Sequence, residues 1–136
     1  MVGDRLVNEH KFECPSLVGK TVESCIGYSE SEVENEVDIV ILKVKELELY
    51  QRFFLDAAIG FWEEYDFESA IEDFEDLNKI DIADQYSLVG KRISSIICTG
   101  AVDAISSFIF DIDGIILRYR LSDENDIDSE TVLEKL

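Results

Sequence analysis

The chain has 136 residues, a formal net charge of -19 from 31 acidic and 12 basic residues, and a hydrophobic fraction of 46%. This length predicts one domain, residues 1–136, and the apolar content excludes a disordered acidic tail. The charge disfavours nucleic acid and anionic membranes as direct partners, and it favours a basic protein, a cation or a solvated acidic surface.

Two short stretches of the chain nearly repeat each other. Residues 16–26 read SLVGKTVESCI and residues 87–97 read SLVGKRISSII. In both copies β-branched apolar residues follow the Gly-Lys pair, which predicts a short strand entered through a tight turn at the glycine. The match predicts a duplicated unit, with copies at about residues 16–60 and 87–121.

The rest of the first unit predicts two further strands. DIVILKVK, residues 38–45, and LYQRFFLDA, residues 49–57, are strongly apolar and are joined near residues 46–48. A helix over residues 44–58 is the main alternative for this part, since apolar residues also recur there at helical spacing.

Residues 61–86 form an acidic connection between the two units. Their apolar residues recur at steps of three and four, which predicts a short amphipathic helix. These residues are Phe67, Ala70, Ile71, Phe74 and Leu77.

The second unit contains the clearest hairpin signal. Two apolar runs flank the sequence DIDG, residues 111–114, and the glycine can supply the positive φ of a turn. The tail, residues 122–136, is predicted to end in a helical turn over residues 129–136, capped by Ser129. The expected fold is α+β, a mainly antiparallel sheet from two related β-β-β units with a short acidic helical connection.

The string SLVGKT resembles the end of a phosphate-binding loop, but the rest of that motif is absent. The motif needs a glycine five residues before Gly19, where this chain has Cys14, followed by Pro15 with no N–H to donate. A strand, and not a helix, is predicted to follow, and the second copy has Arg92 where the motif needs a hydroxyl. Nucleotide binding is therefore not expected.

No catalytic, cofactor or metal site is predicted. The only histidine, His10, lies in a polar N-terminal stretch and has no partner suggested by the sequence. A calcium loop that starts at Asp111 or at Asp123 fails at its fifth position, which is isoleucine in both cases. The 31 acidic residues are too many for sequence alone to select a catalytic pair. We therefore expect a protein that is not an enzyme.

The expected compartment is the cytoplasm. The three cysteines are an odd set without CxxC spacing, which indicates reduced thiols and not a disulfide framework. No apolar run approaches the roughly 20 residues that span a bilayer, and the N-terminus has no apolar signal region.

The acidic connection is also the predicted binding surface. It carries ten acidic residues against Lys79 alone, a local charge of -9, together with six aromatic residues. Aromatic anchors ringed by carboxylates suit a basic protein partner, with Trp62 or Tyr65 as the anchor, and the alternative is that most of these aromatic residues belong to the core. The predicted contact residues are Trp62, Glu63, Glu64, Tyr65, Asp66, Glu72, Asp73, Glu75 and Asp76. A second strip, ESEVENEVD at residues 30–38, alternates acids with other residues and predicts either one charged side of an extended segment or a solvated loop.

In size, charge and absence of catalytic residues, the whole chain resembles the immunity proteins of bacterial toxin–immunity systems, including contact-dependent growth inhibition. The resemblance implies a protein that neutralises a basic toxin domain, often a nuclease, by covering its active site with acidic surface. The alternative is a structural or self-associating small bacterial domain, a homodimer that pairs sheet edges.

Overall fold

The computed structural model describes residues 3–100, 105–123 and 125–136. Within these ranges the chain contains eleven strands, two short α-helices and a 3-10 helix. The strands are β1 (Gly3–Glu9), β2 (Phe12–Glu13), β3 (Val22–Ser29), β4 (Ile39–Val44), β5 (Tyr50–Asp56), β6 (Ile59–Tyr65), β7 (Asn78–Asp81), β8 (Ile93–Thr99), β9 (Ser107–Ile112), β10 (Ile115–Leu121) and β11 (Thr131–Lys135). The helices are α1 (Phe67–Ile71), α2 (Ile82–Gln85) and the 3-10 helix Pro15–Leu17.

The described strands form two antiparallel sheets that pack face to face. The six-stranded sheet has the order β1-β6-β5-β4-β3-β7, and the five-stranded sheet has the order β11-β10-β9-β8-β2. Phe53 of the first sheet makes edge-to-face contacts with Phe108 and Phe110 of the second, at centroid distances of 5.5 and 5.4 Å. The prediction of a mainly antiparallel β-sheet is confirmed.

The burial of each strand follows from its side-chain pattern. In β9 the buried residues Phe108, Phe110 and Ile112 alternate with half-buried ones, as in a strand with one face on the core. In β4 almost every residue is apolar and buried, because this strand is covered on both faces. Val40 and Leu42 belong to the core between the sheets, whereas Ile39 and Ile41 belong to a second cluster on the outer face of the six-stranded sheet.

Residues 66–77, which we call the acidic cap, cover that outer face. Ala70 of α1 is fully buried there, and Phe74 stacks on Tyr28 of β3 at a centroid distance of 6.0 Å. Ala70, Ile71, Phe74 and Leu77 of the cap therefore pack on the sheet.

The two copies of SLVGK form matching turns that bond to each other. Gly19 and Gly90 have φ of +81° and +84°, a conformation in which glycine avoids the strain of a Cβ atom. The N–H of Gly19 donates to the carbonyl of Ile93 at 2.8 Å, and the N–H of Gly90 donates to the carbonyl of Val22 at 2.9 Å. Each following strand then shifts register within its first three residues against its neighbour.

The structure removes one open alternative and differs from the sequence expectation in several parts of the chain. The alternative helix over residues 44–58 is wrong, because β4 and β5 pair there as antiparallel strands. The helical turn over residues 129–136 is also wrong, since β11 pairs with β10 and buries alternate side chains. The N-terminal strands β1 and β2 were not predicted, and residues 61–65 belong to β6 and not to a helical connection.

Candidate functional site

Trp62, the predicted anchor, belongs to the interior. Only 6% of it is exposed, its ring stacks on Phe53 at 6.4 Å, and its indole N–H donates to Gln51 Oε1 at 2.8 Å. A partner cannot reach a side chain held in this way. Trp62 therefore has to be removed from the predicted surface, because its strand position points it between the two sheets.

Glu63 is the second predicted contact that lies inside the fold. Its carboxylate pairs with Arg5 Nε at 2.8 Å and with Arg52 Nη2 at 2.7 Å. The register of the sheet explains this arrangement, since Arg5 of β1 and Arg52 of β5 both lie directly opposite Glu63 of β6. Arg52 also stacks over the ring of Tyr65 at 4.3 Å. Glu63 therefore compensates buried positive charge and does not face a partner.

The next three predicted contacts are only partly exposed. Glu64 accepts a hydrogen bond from Gln51 Nε2 at 3.4 Å, and Tyr65 lies under Arg52. Asp66 accepts the N–H of Ser69 at 2.8 Å and caps α1, which explains why a helix begins at this point. Asp66 therefore fixes the start of the acidic cap, whereas Glu64 and Tyr65 contact side chains of β5.

The remaining predicted contacts lie on the solvent side of the acidic cap. All are exposed, as is Glu68, which the sequence interpretation left out of the site. The exposed acids of the cap are Glu68, Glu72, Asp73, Glu75 and Asp76. Phe67, which the helical spacing assigned to the apolar face, is 48% exposed and contacts Tyr50 at a centroid distance of 5.2 Å. Phe67, and not Trp62, is therefore the aromatic residue that a partner can contact beside the exposed acids.

The acidic strip at residues 30–38 is a loop with a turn and not an extended segment. Asn35 has φ of +71°, and the N–H of Glu36 donates to the carbonyl of Val33 at 3.2 Å. The loop reaches across to the other sheet, because the N–H of Leu133 in β11 donates to the carbonyl of Asn35 at 2.9 Å. Beside this loop lies a cleft of about 340 Å³, which the sequence did not predict because its walls come from three segments far apart in the chain, residues 31–37, residues 78–86 and Leu133.

The cysteines are unsuited to nucleophilic chemistry. All three are free and buried, and burial raises the pKa of the Cys25 thiol to about 12 and that of the Cys98 thiol to about 11. Both thiols therefore stay protonated at neutral pH, whereas the thiolate is the reactive form.

The described part of the chain contains no group of three or more His, Cys, Asp and Glu side chains arranged to hold a metal ion. None of its helices is long and apolar enough to cross a bilayer. Comparison with known proteins finds no family model, no curated protein and no solved structure that matches this chain.

Proposed function

We propose that the chain is a non-enzymatic binding protein that neutralises a basic partner, as bacterial immunity proteins neutralise toxin domains. The observation that carries this proposal is the acidic cap. It contains six acidic residues and no lysine or arginine, and five of the acids are exposed on one segment. A concentration of one charge sign on one surface attracts and orients a partner of opposite charge.

The mechanism is occlusion with electrostatic steering. The acidic cap rests on a buried apolar cluster around Ile41 and Ala70, so its carboxylates are displayed on a fixed platform. The exposed ring of Phe67 adds apolar contact area next to those charges. Such a surface suits the positively charged active-site face of a nuclease, which the bound protein would cover.

The compartment proposed for this activity is the reducing cytoplasm. Three free, buried thiols support it, because cysteines in an oxidising compartment are commonly paired as disulfides.

The test is co-expression in a heterologous bacterium with each basic domain that a neighbouring reading frame is found to encode. We expect growth only when this chain is present. A variant with the five exposed cap acids neutralised should lose protection, because the partner would lose its contact surface. The variant is E68Q/E72Q/D73N/E75Q/D76N.

A matched control removes the same number of charges elsewhere. It replaces five exposed acids outside the cap and should protect as well as the natural chain. The control is E9Q/E13Q/D56N/D128N/E130Q. Equal protection by the cap variant and this control would contradict the proposed surface.

A self-associating domain is the second candidate, and β1 favours it. This seven-residue strand lies at the edge of the six-stranded sheet, and Leu6 at its centre is 38% exposed. The same strand also carries two features that oppose edge pairing, the register shift between Arg5 and Val7 and its charged side chains, so the exposed edge alone does not select the homodimer. Light scattering decides between the two, since a solution mass near 15.5 kDa would remove the homodimer.

We also infer that the strands β3-β4-β5 and β8-β9-β10 are two related β-β-β units. The support comes from the matching turns at Gly19 and Gly90, their reciprocal hydrogen bonds and the register shift that follows each turn. A duplicated sequence explains why two separate turns share all three features.

A further inference from the structure

The cleft beside the β3–β4 loop is formed by segments that meet at one end of the sandwich. Residues 31–35 of the loop form one wall, and Ile80 of β7, Tyr86 after α2 and Leu133 of β11 complete it. Asn78 ties two of the segments together, because its Nδ2 donates to the carbonyl of Ser31 at 3.1 Å. Val33, Val37, Ile80, Ile82 and Leu133 make the interior of the cleft mainly apolar. The hydrogen bond from the Asn78 side chain helps to hold the loop against β7.

The mouth of the cleft is negatively charged. Glu32 and Glu34 line it and are exposed, and no ion pair among the described residues involves either one. Burial raises the pKa of the Tyr86 hydroxyl, and the charges of Glu34 and Glu134 raise it further. The charge of Glu34 is therefore felt at a side chain that lines the cleft. No lysine or arginine is among the described residues that line it.

We propose that this cleft receives one arginine side chain of the basic partner. An arginine has an apolar stem and a planar cation, and the cleft offers apolar walls with carboxylates at its mouth. Val33, which is 61% exposed at the mouth, and Leu133 can contact the stem. Glu32 and Glu34 are available to the guanidinium group, and the ring of Tyr86 offers a face on which it can stack.

This inference rests on the proposed function, because it assigns to the partner a residue that docks beside the acidic cap. The two surfaces are continuous along the chain. The cap ends at residue 77, and the next residue, Asn78, already lines the cleft. A partner that covers the exposed acids Glu75 and Asp76 is therefore close enough to place a side chain in the cleft.

The test uses the peptide acetyl-Gly-Arg-Gly-amide, whose only charge is the arginine, and follows the backbone amides of the full chain by NMR. The matched control peptide carries citrulline, which has nearly the same shape and no charge. We expect the arginine peptide to shift amides at residues 31–35, 78–80, 85–86 and 133. We expect the citrulline peptide to shift none of them.

Two charge variants separate the cleft from the cap. E32Q/E34Q should weaken binding of the arginine peptide about fivefold, since each carboxylate contributes an exposed charge pair. E68Q/E72Q removes the same charge from the cap and should change the affinity less than twofold. Three results would overturn the inference: the citrulline peptide binds equally well, the arginine peptide shifts amides of the cap as much as those of the cleft, or E32Q/E34Q does not change the affinity. Equal binding of a peptide with lysine in place of arginine would overturn the choice of arginine.

The same experiments keep this inference apart from the proposed function. If the cap variant abolishes protection but the arginine peptide leaves the cleft unchanged, the proposed function stands and the inference fails. If the peptide occupies the cleft but no basic domain is neutralised, the cleft remains an arginine site and the proposed function fails.

Discussion

The replacement of Glu63 by glutamine tests whether this residue holds the fold together or contacts a partner. Its side chain is 2% exposed, and its two oxygens pair with Arg5 and Arg52 at 2.8 and 2.7 Å. Glutamine keeps the size of the side chain but removes the charge, so the two arginines lose their common counter-ion.

The expected cost follows from the exposure of the two arginines. The Arg52 side chain is only 13% exposed, so its charge cannot be rehydrated when the carboxylate is removed. Loss of one partner from a buried ion pair costs about 3–5 kcal/mol. Arg5 is 53% exposed and should add little to the loss of stability, because water can solvate its charge when the carboxylate is removed. We expect Glu63→Gln to lower the free energy of unfolding by about 3 kcal/mol, which lowers the melting temperature by roughly 10 °C in a domain of this size.

The assay is urea unfolding followed by circular dichroism, with two matched controls. Glu75→Gln is the same substitution on the exposed cap and should change the free energy of unfolding by less than about 0.5 kcal/mol. Arg5→Gln removes only the exposed partner and should cost about 1 kcal/mol or less. A change below about 1 kcal/mol for Glu63→Gln would show that the carboxylate does not compensate the buried charge of Arg52, because breaking a buried ion pair costs more than this.

Three further predictions concern the thiols, the turns and the net charge. The thiol of Cys25 has a folded pKa of about 12 against an ordinary value of 9.0, so the unfolded chain ionises first. The contribution of this thiol to the free energy of unfolding is therefore fully present below pH 9 and falls above it by about 1.4 kcal/mol per pH unit. Urea titrations at pH 8 to 11 measure how steeply the free energy of unfolding falls with pH, and the fall should be smaller in Cys25→Ala. An equal fall in the variant would contradict the burial of Cys25 as its cause. Gly19→Ala and Gly90→Ala should each cost about 1–2 kcal/mol, because both positions have a positive φ that strains a residue with a Cβ atom. The added Cβ meets nothing within 4 Å, so no clash adds to this cost. Clearly unequal costs in denaturant unfolding would count against related turns. Raising NaCl from 10 mM to 0.5 M should raise the melting temperature, because salt screens the repulsion within a chain of charge -19, and an unchanged or lower value would show that this repulsion does not limit stability.

The parts of the fold that the sequence predicted are those specified by local signals. The turn at Asp113 and Gly114, both at positive φ, joins β9 and β10 as the DIDG sequence indicated. The glycines of the repeated SLVGK stretches also form the turns that their sequence predicted.

The parts that could not be predicted depend on pairing between distant segments. β1 has little alternation of apolar residues, and it becomes a strand because β6 provides its hydrogen-bond partners. The tail forms β11 for the same reason, since it pairs with β10 and with the loop at Asn35. Neither partner is a neighbour in sequence.

The candidate site shows the same division. Composition directed attention to residues 61–86, and four of the predicted contact residues there are exposed, namely Glu72, Asp73, Glu75 and Asp76. Composition could not show that Trp62 and Glu63 point to opposite faces of one strand and are both covered. Strand alternation places Trp62 between the sheets, and the register brings Arg5 and Arg52 to Glu63.

We propose that the exposed acidic cap and the neighbouring cleft together bind a basic partner. The decisive measurement is amide hydrogen exchange of this chain, alone and in complex with a basic domain that it neutralises in the co-expression test. We expect slower exchange at residues 67–76 and 31–35 in the complex. Slower exchange confined to β8, β9 and β10, with the cap and the loop unchanged, would contradict it.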